Sequence, residues 1–140
     1  MSPLELTGIN SMNVCISVAD IDATVAWYER ILEFKLIQRL RMQALGAELA
    51  FLKYNNMEIE LVALDAIDKF VRPPPPIEHL RLQGLSQISF RVDNVEKTMG
   101  VLRRKGINLI FGPVTVDELS ISAFFIRDNE GNLIEFLQRL

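Results

Sequence analysis

One cysteine and one histidine among 140 residues remove much chemistry at the outset. Cys15 alone can form neither an internal disulfide nor a CxxC zinc site. His79 alone cannot supply a three-His zinc site, a two-His iron site within one chain or an HExxH motif. No apolar run approaches the length of a membrane-spanning helix, so no membrane partner is expected. The N-terminal Met1-Ser2-Pro3-Leu4-Glu5-Leu6 lacks the basic and long apolar regions of a signal peptide, and the expectation is an intracellular, cytoplasmic protein. Excess positive charge is also missing. Fifteen Lys and Arg against 18 Asp and Glu leave a net charge of −3, which argues against a nucleic-acid partner. The seven glycines include no GxGxxG and no phosphate loop, so no nucleotide cofactor is expected.

What is present is enough for a globular core: 49% hydrophobic and 24% charged residues, in a length that suits one domain or two very small ones packed together. The run Arg72-Pro73-Pro74-Pro75-Pro76 can continue neither a helix nor a central strand and reads as a stiff linker near the midpoint. The two sides of it repeat. Asn13–Val18 and Gln87–Val92 both alternate as half-buried strands: Val14, Ile16 and Val18 against Asn13, Cys15 and Ser17; Ile88, Phe90 and Val92 against Gln87, Ser89 and Arg91. The offset between the halves is the same at every position. A helix follows each strand. Asp20 caps the first, with an apolar stripe through Ile21, Val25, Tyr28 and Leu32; Asn94 caps the second, with Val95, Met99 and Leu102. Gly106 stands where the second helix should end. Three strand-like stretches then follow in each half: about Phe34–Arg41, Ala47–Tyr54 and Met57–Ala63, then about Leu109–Phe111 extending past Pro113, Ser120–Arg127 and Leu133–Gln138. The fold expected is α+β: two tandem βαβββ modules (about 8–71 and 77–140, linker 72–76) forming a curved mixed sheet around a central cavity, helices outside.

The stretches Ser17–Asp22, Trp27–Phe34, Ile59-Glu60-Leu61, Ser86–Gly106 and Arg127–Phe136 resemble the vicinal oxygen chelate superfamily. This is the group of glyoxalase I, methylmalonyl-CoA epimerase, extradiol dioxygenases, fosfomycin-resistance enzymes and bleomycin-binding proteins. The family pattern usually has Gly where Glu33 stands. The resemblance implies metal-ligand positions at Asn13, Glu60, Gln87 and Glu135, all on strand faces turned away from the helices. Strong metal binders of the family carry His at one or both of the positions held here by Asn13 and Gln87. Two amides and two carboxylates would hold a divalent ion (Mg²⁺, Mn²⁺, Ni²⁺ or Zn²⁺, the hard ions best) only loosely, and the two-His iron of the dioxygenases is ruled out.

The resemblance further implies an enzyme, a lyase or isomerase moving a proton on a small carbonyl-containing substrate: isomerisation, epimerisation, cyclisation or elimination. Glu135, flanked by Leu133 and Leu137, is the expected base, with Glu60 as a second catalytic carboxylate. Asn13 and Gln87 are candidates to bind substrate oxygens in place of a metal, and Arg91 to hold a substrate carboxylate or phosphate. Alternation turns one of Phe124 and Phe125 to the cavity, and Phe124 is assigned to the substrate. The alternative is a metal-free binding or sequestering protein of the bleomycin-resistance type. Cys15 is expected to be a small buried residue, and His79 to be structural or exposed, outside the motif. Arg39 and Arg41 share a strand face, as an anion clamp or a solvated surface. A homodimer is the expected assembly.

Overall fold

The computed structural model describes residues 8–68 and 71–140. The chain divides into two compact units between Ile67 and Asp68. The first holds β1 (Asn13–Ser17), α1 (Ile21–Leu32), β2 (Lys35–Met42), β3 (Ala47–Tyr54) and β4 (Met57–Leu64). The second holds β5 (Ile88–Arg91), α2 (Val95–Arg104), β6 (Phe111–Val116), β7 (Ile121–Arg127) and β8 (Leu133–Arg139), with short 3₁₀ turns at Glu78–Arg81 and Asp117–Leu119. Each unit is one βαβββ module with a four-stranded mixed sheet, ordered β1-β4-β3-β2 and β5-β8-β7-β6. The first and last strands of each module run parallel; the other pairs are antiparallel. Among the described residues, no helix is long and apolar enough to cross a membrane.

The repeat extends to individual hydrogen bonds. Asp20 Oδ1 accepts from Ala23 N and Asn94 Oδ1 accepts from Lys97 N, each at 2.9 Å, so each helix gains the cap that its orphan amides need. Thr24 and Thr98 then donate their hydroxyls to the capping residue's carbonyl in both helices, at 2.7 and 2.8 Å. Ladder irregularities recur as well, between Leu36 and Gln38 in β2 and between Phe111 and Val114 in β6, the same place in each module.

The helices cover one face of their own sheet. In the first unit Ile21, Val25, Tyr28 and Ile31 of α1 are buried along with Leu52, Ile59 and Leu61 of the sheet. Ile31 takes the place expected for Leu32 on the buried stripe. In the second unit the rings of Phe90, Phe136 and Phe124 stack across three neighbouring strands, with centroids 5.7 and 5.1 Å apart. Val95 N of α2 donates to Gln138 Oε1, which marks the Ile134–Phe136–Gln138 side of β8 as the helix side. The proline run belongs with the second unit: Arg127 donates one nitrogen to Pro73 O and the other to Gly131 O, both at 2.9 Å.

Two positions show how backbone sterics enter. Glu33 ends α1 at φ 63°, the left-handed region in which a glycine is least strained. Gly112 sits at φ +88°, and a Cβ there would stand 2.7 Å from the Ala123 carbonyl oxygen. Glu33→Gly should therefore raise stability by up to about 1 kcal/mol. Gly112→Ala should lower it by about 2 kcal/mol or more, because left-handed strain and overlap with β7 add. Thermal melts of the two variants check the opposite signs.

Candidate functional site

In the second unit the parallel pairing of β5 with β8 sets Ser89 opposite Glu135, on the face away from α2. Ser89 Oγ donates to Glu135 Oε1 at 2.8 Å. Gln87, one alternation back along the chain, brings its Nε2 to 3.4 Å from both Ser89 Oγ and Glu135 Oε1. Its other end is taken: Gln87 Oε1 lies 2.6 Å from His79 Nε2. An amide oxygen can only accept, so the imidazole hydrogen sits on Nε2 and His79 donates. The reversed amide would set its oxygen against the Glu135 carboxylate, so the network assigns one orientation. His79 is 1% exposed and makes an edge contact with the Phe125 ring at 5.6 Å, and among the described residues its Nδ1 has no hydrogen-bond partner.

His79 is structural rather than exposed: it lies outside the strand motif in sequence, and the turn at Glu78–Arg81 folds it back onto Gln87. Two expectations are corrected here. Phe124 is 0% exposed and stacks on Phe136 on the helix side, whereas Phe125 pairs with Glu135 and shares its face. Strand alternation allows only one of the two adjacent rings on that face. The signal that identifies Phe125 was in the repeat: Phe51 pairs with Glu60 in the first module as Phe125 pairs with Glu135 in the second. The second correction concerns Cys15, which is exposed rather than buried.

Arg91 follows Ser89 on the same face, opposite Leu137. Among the described residues Glu135 has no cationic partner, and the Asp128 turn fixes its strand. Asp128 Oδ1 accepts from Glu130 N and Asn132 N at 2.9 Å, closing the β7–β8 connection.

In the first unit β1 and β4 set Cys15 opposite Glu60 and Asn13 opposite Glu58. Asn13 Nδ2 donates to Glu58 Oε2 at 3.3 Å. Although Cys15 is exposed, partial desolvation of its sulfur first, and then the neighbouring Glu60 carboxylate by charge and hydrogen bond, push the thiol above its ordinary pKa. Arg39 and Arg41 form no anion clamp. They lie in ion pairs, Arg39 with Asp22 at 2.6 Å and Arg41 with Asp65 at 2.6 Å, with Glu48 beside both. Trp27 is buried, edge-on to Tyr28.

Within each unit the amides and carboxylates expected as metal ligands have protein partners. Gln87 Oε1, the atom through which an amide ligates, is engaged by His79, and the first unit pairs its carboxylates with an amide and a protonated thiol. Among the described residues no group of three His, Cys, Asp or Glu side chains could hold a metal ion.

The chain matches the family model of the Glyoxalase/Bleomycin resistance protein/Dioxygenase superfamily over residues 8–136. It belongs to that superfamily. A lactoylglutathione lyase of Haemophilus influenzae is 28% identical over 133 residues, covering 91% of this chain and 90% of that protein. A virulence protein of Salmonella typhimurium is 28% identical over 132 residues, covering 90% and 81%. Among solved structures, a glyoxalase family protein from Bacillus cereus aligns at a TM-score of 0.75 and 20% identity over 99% of both chains. Glyoxalase I from Zea mays, as an E144Q mutant, aligns at 0.69 and 20% identity, covering 90% of this chain and 46% of that one. These structural likenesses establish the glyoxalase-superfamily fold of repeated βαβββ modules.

The Cys15–Glu60 contact makes a measurable prediction. Glu60→Gln removes the carboxylate that favours the neutral thiol, so the Cys15 pKa falls and the thiolate fraction at fixed pH rises. Alkylation by iodoacetamide at pH 8 should accelerate by about two- to tenfold, and the difference should vanish at high pH where both thiols are ionised. Equal rates at pH 8 would show that Glu60 does not act on Cys15.

Proposed function

We propose that this glyoxalase-superfamily chain is an enzyme that moves a proton on a small carbonyl-containing substrate, with Glu135 as the base. The observation that carries the reading is the setting of Glu135. Neutral groups orient its carboxylate through one oxygen, Oε1, by Ser89 at 2.8 Å and Gln87 at 3.4 Å. Among the described residues Oε2 has no partner and no arginine or lysine pairs with the group. A carboxylate held in this way is fixed in direction and keeps its second oxygen open to a substrate C–H.

In the proposed step, Glu135 Oε2 takes the proton from a carbon next to the substrate carbonyl. The electron pair moves onto the carbonyl oxygen as an enolate. Gln87 is the group to stabilise it, because His79 turns its NH₂ toward Glu135 and the contacts made there are long enough to be exchanged for a substrate oxygen. The proton then returns from Glu135 to a neighbouring carbon or oxygen, completing an isomerisation. Phe125 supplies an apolar wall beside the carboxylate. The lactoylglutathione lyase relative suggests the hemithioacetal of methylglyoxal and glutathione as a first substrate to try.

The test is proton exchange in D₂O, followed by ¹H NMR, on that hemithioacetal and on a panel of α-hydroxy ketones and aldehydes. Glu135→Gln should slow exchange by about 10²-fold or more while the variant keeps its thermal stability. Exchange that proceeds equally well in the variant rules Glu135 out as the base. Tight ligand binding with no exchange by the wild type favours the sequestering alternative.

A further inference from the structure

A cleft of about 390 Å³ opens on the second sheet's face away from α2, lined by residues that the proton-transfer reading leaves unused. Arg91 of β5 and Arg139 of β8 carry the charge; Leu119, Ile121 and Leu137 supply the apolar surface. The register explains why they meet. Arg91 lies opposite Leu137, and Arg139, one alternation further along β8, lies opposite Ile121 of β7. Arg91, Leu137, Arg139 and Ile121 share the face that carries Ser89 and Glu135. Among the described residues neither arginine forms an ion pair, although Asp93, Asp117 and Glu118 are near in sequence. Arg39 and Arg41 differ sharply from this, because both are matched by carboxylates.

We infer that this cleft anchors the far end of the substrate, and that the substrate is therefore an amphiphilic anion: a carbonyl compound ending in a carboxylate or phosphate, with an apolar spacer. Two guanidinium groups without internal partners suit an oxyanion with two or three acceptor atoms. The leucine and isoleucine surface favours carbon rather than further charge next to that anion. Strand geometry sets the length. Leu137 and Arg139 lie two and four residues beyond Glu135, so the anion sits about 7–13 Å from the carboxylate that takes the proton. A substrate of two or three carbons cannot span that distance, and one with a longer acyl or acyl-phosphate arm can. The assignment of this anchor to a substrate rests on the Glu135 reading; the anion site itself does not.

The experiment uses octanoate, octyl phosphate and octanol, none of which asks anything of Glu135. Each is titrated into the full chain, followed by ¹H–¹⁵N NMR, for the wild type and for Arg91→Gln, Arg139→Gln and Glu135→Gln. At least one of the two anions should shift the backbone amides of Arg91, Ile121 and Arg139 and bind about tenfold or more tightly than octanol. Each arginine variant should weaken anion binding by about tenfold, and Glu135→Gln should change it by less than about threefold. Tighter octyl phosphate identifies a phosphate-bearing substrate, and tighter octanoate a carboxylate. Octanol binding as well as either anion, affinities unmoved by both arginine variants, or no binding of either anion at millimolar concentration overturns the inference. Proton exchange by Glu135→Gln decides the base separately, so failure of the anchor and failure of the base are told apart.

Discussion

The parallel pairing of the first and last strands in each module is the constraint on which the sites depend. A parallel ladder sets residues side by side on the same sheet face, and that face is fixed by which side the intervening helix covers. Once Ile134 and Phe136 are buried on the α2 side of the sheet, Ser89 and Glu135 can only lie on the other face, next to each other. The same logic sets Cys15 against Glu60 in the first module. A slip of one residue in either ladder would drive the glutamate into the helix layer and an aromatic or aliphatic side chain out of it. Hydrophobic burial on the helix side thus maintains the polar pair on the other.

The second requirement is orientation, and it falls to a residue far from the strands. Gln87 could present either end of its amide to Glu135. His79 decides the matter by donating to the oxygen, which leaves the NH₂ facing the carboxylate. Gln87 thereby presents a hydrogen-bond donor to the carboxylate, and the chain's single histidine holds it from the other end. Burial of His79 with a bare Nδ1 carries a desolvation cost of about 1–3 kcal/mol, and the edge contact with Phe125 and the short bond to Gln87 offset it.

The fold was legible because alternation, caps and the repeat are local signals. Asp20 and Asn94 cap where their side chains predict, and Gly106 takes the left-handed position after α2 at φ +82°. The polar sites were legible to the level of strand faces, which placed Ser89, Gln87, Arg91 and Glu135 together. His79 was not, because its position depends on how the segment after the prolines turns, and a single 3₁₀ turn leaves almost no periodicity to read. The Phe124–Phe125 choice turned on a parity that the strand's sequence alone leaves open, since both neighbours are aromatic. The exposure of Cys15 likewise depends on what covers a face, not on the strand that carries it.

The two modules carry the same scaffold but give their glutamates different surroundings, and this argues for unequal roles. Glu60 lies beside a thiol, a weak donor, while the nearest amide, Asn13, is turned to Glu58. Its direction is loosely set. Glu135 is gripped at one oxygen by a hydroxyl and an amide, and that amide is itself held by a buried imidazole. Proton transfer rewards direction, because the carbon acid must meet a lone pair within hydrogen-bond reach and in line. Gene duplication logic would make the sites equivalent; the chemistry of their neighbours does not. Among the described residues the second module's glutamate is held by a hydroxyl and an amide and by no cation, and Arg91 and Arg139 on its sheet face form no ion pair.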